Sequence, residues 1–190
     1  MTSRFPSPRV VRRVRLGTSA ADESTLVDVH LADGRITGIH PASAIDERAD
    51  EGAAERPAGG VIDGRGLLAL PGLVNAHAHV DKSWWGLPWQ SYGGEGGTEG
   101  RIRHERARRD ELGIAWQYAR ASGIVRDDDL RRVVAVATGA AAPFAGLPEG
   151  RLGVGDRADL VLVDAENAMD ALVRTPPREV VIAGGRLLVG

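Results

Sequence analysis

The sequence contains no cysteine. That excludes a disulfide framework and a thiolate zinc site, so any metal ion would have to be held by His and carboxylate ligands. It also lacks an excess of either charge: 24 Lys and Arg stand against 26 Asp and Glu, for a net charge of −2. Nothing in that balance calls for nucleic acid or a membrane surface as partner. Long apolar runs are missing too, since no stretch approaches the roughly eighteen residues of a membrane span. The opening MTSRFPSPRVVRRVRLG has arginines but no apolar segment before a small-residue cleavage site, so the expectation is a cytoplasmic chain that is neither exported nor membrane-spanning. Repeats at solenoid spacing are absent, and low complexity is confined to one Gly-rich stretch.

What is present is a succession of short strands at both ends. Val10 to Leu16, Leu26 to Leu31 and Arg35 to His40 read as strands, the last two joined by Ala32-Asp33-Gly34, a tight-turn sequence. Residues 43 to 60 are acidic and punctuated by Pro and Gly, which predicts an exposed connection. VIDGRG and LLAL follow as a strand pair before Pro71-Gly72. Residues 83 to 100 have no regular period and predict a loop. Arg101 to Ala121 is helix-forming, with Gly113 read as an interruption and as a change of character that marks a join. Asp127-Asp128-Asp129 predicts a capped helix start. Near the other end, DLVLV predicts a buried strand and EVVIAGGRLLVG a hairpin about Gly184-Gly185.

The chemistry concentrates in LVNAHAHVDK. Strand alternation puts His77, His79 and Asp81 on one face and Val74, Ala76, Ala78 and Val80 on the other. Two imidazoles so spaced can share one divalent ion, zinc or iron, in a site that leaves a position open for water. Trp84, Trp85, Trp89 and Tyr92 could shape a pocket beside such a site or pack over a sheet or helix. Asp81, Lys82, Trp84 and Trp89 are the candidates for substrate contact. His30 and His40, in predicted strands, and His104, in a charged helix, are read as surface or sheet residues. Arginines of RIRHERARR alternate with Glu105, Asp110 and Glu111, as on a solvated helix face.

LLALPGLVNAHAHVDK resembles the amidohydrolase superfamily's passage from its N-terminal sheet into barrel strand one, and GRLGVGDRADLVLVDAEN with REVVIAGGRLL resembles that family's C-terminal return to the sheet. HVDKSWWGLPWQ and DAENAMDALVR are most similar to the cytosine deaminase branch. The resemblance implies an α/β family fold, a (β/α)₈ (TIM) barrel plus a small β-sandwich, with one divalent metal ion and hydrolysis of non-peptide C–N bonds in small cyclic amides or amidines. On it, residues 1–72 and 144–190 form a composite sheet lobe, and 73–143 a truncated barrel remnant with strand one and a few helices. A full barrel takes about 250 residues, whereas about fifty lie between Val80 and Asp129. His77 and His79 match the family's strand-one metal ligands, and Asp81 and Lys82 the residues that follow them. Its middle-strand His, second His near the substrate, proton-shuttling Glu and last-strand Asp have no matching motif. Two alternatives stand beside the hydrolase: an inactive, internally deleted product, or a retained sheet lobe that serves for binding or assembly, including homo-oligomerisation.

Overall fold

A computed structural model describes residues 7–42, 60–74 and 111–189. The predicted connection at 43–59, the strand beyond Val74, the loop at 83–100 and the first half of the helix at 101–121 lie outside them. Eight strands are described: β1 (Val10–Leu16), β2 (Val27–Ala32), β3 (Arg35–Pro41), β4 (Val61–Asp63), β5 (Leu68–Pro71), β6 (Leu160–Val163), β7 (Arg178–Ala183) and β8 (Arg186–Val189). Three α-helices accompany them, α1 (Glu111–Ala121), α2 (Asp127–Ala137) and α3 (Ala168–Arg174).

The strands form one mixed sheet in the order β3-β2-β1-β5-β6-β7-β8, with β4 also beside β1. Antiparallel pairing of Leu68 with Val163 through Pro71 with Leu160 joins the early strands to the late ones. β1 serves two partners along one edge: Val10–Arg12 pair in parallel with β4, and Arg15–Leu16 with β5. Between them, Arg13 sits at φ 52, where β1 also slips register against β2. A bulge bends a strand in this way. The bend is tied down: the Arg13 N–H donates to Asp28 at 2.9 Å and the Arg13 guanidinium pairs with Asp63.

Alternation sorts β5 and β6 between two cores. Ala69, Leu160 and Leu162 face a cluster that includes Val11, Val14, Val29, Ile36, Val180 and Ile182. Leu68, Leu70, Val161 and Val163 face another, built with Leu112, Leu130, Val133, Val134 and Leu172 from the helices. All four residues of β6 are buried, which is why DLVLV reads as a continuous apolar run and not as an alternating one.

The turn of the β2–β3 hairpin meets that of β7–β8. Ala158 donates to the Gly34 carbonyl (2.8 Å) and its own carbonyl accepts from Gly185 (2.9 Å). Gly185 has φ +72, and a Cβ there would stand 2.9 Å from the Gly34 Cα.

Two expectations need correction, and one helix had no expectation attached to it. Helix α1 runs through Gly113 without a break; a single helical glycine costs only about 1 kcal/mol relative to Ala, which packing can offset. Helix α2 has its acidic first turn but no side-chain cap, because its N-cap position is Arg126. Helix α3 was not foreseen within DAENAMDALVR; it is short, and the Asn167 side chain caps it by accepting from Asp170 N–H.

Leu162 is fully buried, so Leu162→Ala should lower unfolding free energy by about 3 kcal/mol in urea denaturation followed by circular dichroism. Gly66 and Gly185 separate backbone strain from crowding. Gly66 has φ +80 and open space around its missing Cβ, so Gly66→Ala should cost about 1 kcal/mol. Gly185→Ala, with the same strain plus the clash against Gly34, should cost at least twice as much; equal losses would refute the turn-to-turn packing.

Candidate functional site

Strand β5 delivers the chain to the predicted metal-ligand segment. After Pro71, the Gly72 N–H donates to the Asp159 carbonyl (2.9 Å) and the Val74 N–H to the Ala137 carbonyl (3.1 Å). The backbone thus leaves the sheet beside the C-terminal end of α2. His77, His79, Asp81, Lys82, Trp84 and Trp89 lie outside the described residues, as do Trp85, Tyr92 and His104. Among the described residues, no group of three or more His, Asp or Glu side chains is placed to hold a metal ion. The donor chemistry of His77 and His79, two neutral imidazoles, is of the type that suits zinc or iron.

Next to this exit lies a cavity of about 550 Å³, lined in part by Thr18, Pro71, Arg131, Thr138, Glu149 and Arg151. Arg131 donates to both carboxylate oxygens of Glu23, at 2.7 and 3.0 Å. Glu23 is 7% exposed and also accepts the Ala168 N–H at 2.8 Å. Its hydrogen bond raises the Arg131 guanidinium above the ordinary arginine value. Arg151 donates to Glu149, and the buried Thr138 hydroxyl donates to the Val134 carbonyl at 2.9 Å. A nucleophile or general base needs a group free to exchange a proton with substrate; here Glu149 answers Arg151, Asp156 accepts the Gly153 N–H, the Thr18 hydroxyl donates to Asp22 and the Thr138 hydroxyl donates to main chain. The lining is a seam between elements.

Arg15 completes the seam. Its guanidinium donates to four carbonyls, those of Gly66 (2.9 Å), Glu23 (3.3 Å), Glu166 (2.5 Å) and Ala165 (2.6 Å). Sequence reasoning missed Arg15, Glu23 and Arg131. Glu23 and Arg131 stand 108 positions apart, Arg15 and Ala165 150, so no local spacing reveals either contact.

No family model matches the chain. Among curated proteins it is similar to an imidazolonepropionase of Ectopseudomonas mendocina (strain ymp), with 34% identity over 80 residues, covering 42% of this chain and 18% of that protein. The matched stretch is thus a small part of that relative's length. Two solved structures are similar over 95% of this chain and 97% of theirs, each with a TM-score of 0.45: N-isopropylammelide isopropylaminohydrolase from Burkholderia multivorans, at 14% identity, and 5-methylcytosine deaminase from Klebsiella pneumoniae, at 12%. An L-hydantoinase (dihydropyrimidinase) from Arthrobacter aurescens covers 42% of this chain and 15% of its own, at 22% identity and TM-score 0.25. Over those 80 residues this chain is similar to one part of an imidazolonepropionase.

Glu23→Ala should lower stability by about 2–3 kcal/mol, since it strands both the Arg131 guanidinium and the Ala168 N–H. Urea denaturation checks this; a loss under about 0.5 kcal/mol would rank the pair with ordinary surface ion pairs.

Proposed function

We propose that the chain represents a metal-dependent hydrolase of non-peptide C–N bonds, of the cytosine deaminase type, and that it holds only the first part of the catalytic machinery. The observation that supports this is the position of the His-x-His: it begins three residues after Val74, directly beyond the strand that joins the early and late halves of the sheet. His77 and His79 are the metal ligands. Asp81, Lys82, Trp84 and Trp89 are the residues for the substrate, a small cyclic amide or amidine. A divalent ion, zinc or iron, would supply Lewis acidity toward water and the substrate carbon. The proton-transferring Glu, the middle-strand His and the last-strand Asp have no counterpart in the sequence, so the chain by itself is catalytically incomplete. In this reading residues 1–72 and 144–190 are the composite lobe and 73–143 the remnant of the barrel.

A second reading draws on exposed apolar side chains at and beyond the end of α2. Val136 is 64% and Phe144 86% exposed, as fits a lobe that meets another protein or a second copy there. No described helix is long and apolar enough to cross a membrane.

The test is zinc calorimetry on the purified chain and on a His77→Ala/His79→Ala double variant, with ammonia release from cytosine-like substrates measured in parallel. A zinc equivalent lost in the double variant, without ammonia release, is the expected result. Turnover by the unaltered chain would overturn the claim of incompleteness, and equal zinc binding by both proteins would overturn the ligand assignment.

A further inference from the structure

The outer face of the β2–β3 hairpin carries a second pair of imidazoles. Val29 and Leu31 point into the core, so alternation places Asp28 and His30 on the opposite face of β2. Across the hairpin, His30 pairs with Gly38 and Asp28 with His40, which makes the two histidines diagonal neighbours. Their ring centroids are 5.1 Å apart, with an interplanar angle of 80°.

That distance has a chemical meaning. Two imidazoles that share one tetrahedral zinc at Zn–N of about 2.1 Å put their centroids about 5 Å apart. Gly38 makes the approach possible, because a Cβ there would lie 2.7 Å from the His40 Nε2. The His40 ring therefore lies over Gly38, and a side chain there would oblige the ring to shift. On the same face, Asp28 opposite His40 accepts the Arg13 N–H and pairs with Arg12 at 3.5 Å. Its carboxylate is engaged, which leaves the two imidazoles as the ligands.

We propose that His30 and His40 form a two-ligand site for a borderline divalent ion such as zinc, nickel or copper, separate from His77 and His79. Imidazole suits these ions, and water completes the coordination. With two protein ligands, affinity falls in the micromolar range or weaker, below that of a site closed by three or four. The site sits on a sheet face distant in sequence from the predicted catalytic strand, and its existence does not depend on the proposed hydrolase reading.

The experiment is a titration with zinc, repeated with nickel, of the full-length chain carrying His77→Ala/His79→Ala, so that those two ligands contribute nothing. One ion per chain is expected. His30→Ala or His40→Ala in that background should weaken binding at least tenfold, and Gly38→Ala, by displacing the His40 ring, at least threefold. Zinc should also raise the thermal midpoint of the background protein but not of its His40→Ala derivative, a readout that mere ring packing would not move. Affinity unchanged by loss of either histidine, or no binding at all by a background protein shown folded by circular dichroism, would overturn the proposal.

Discussion

The antiparallel contact of β5 with β6 is the constraint on which the rest of the structure depends. Leu68 to Pro71 lie against Val163 to Leu160, and this four-residue ladder turns two distant stretches of sequence into one sheet. Both strands are sealed on two faces. On one, Leu160 and Leu162 share a core with Val11, Val29 and Ile36; on the other, Val161 and Val163 meet the helices. Parting the ladder would expose both cores at once, and each buried Leu or Val contributes about 1.5–3 kcal/mol of transfer free energy.

Around that ladder the polar contacts have a consistent geometry. Arg15 reaches from β1 to the Ala165 and Glu166 carbonyls just after β6, and Glu23 joins α2 through Arg131 to the start of α3 through the Ala168 N–H. Both groups act where main-chain donors or acceptors are left over at element ends, which otherwise need water or a cap. At the far end of the hairpins, residues 34, 158 and 185 are tied by main-chain hydrogen bonds.

Local patterns made much of this legible. The Asp33-Gly34 and Gly184-Gly185 turns, the alternating strands and the apolar run of DLVLV all announced their elements, because short-range sterics and burial dictate them. The bounds of β2 and β3 differ from expectation by a residue, as strand ends commonly do. Helix α3 escaped because seven residues offer too little periodicity to read. Gly113 misled because a glycine signals a break only where packing does not hold the helix. The His77 and His79 pair is a reading of strand alternation that lies outside the described residues, whereas the His30–His40 pair has no local signal: it exists only once β2 and β3 take the register that sets Gly38 opposite His30.

The length of chain between β5 and β6 bears on how the sheet and the chemistry relate. Closing a loop costs about 0.6 kcal/mol more for each doubling of its length. About ninety residues separate Pro71 from Leu160, and a whole (β/α)₈ barrel would take about 250. By that scaling the two lengths differ by only about 1 kcal/mol in closure entropy, less than the burial of one leucine. The sheet can therefore form across a short insert nearly as well as across a long one. Its presence says that the two halves belong together, and says little about what lies between them. Catalytic capacity has to be judged from the residues between the two strands, which on the proposed reading supply two histidine ligands without the acid and the further ligands.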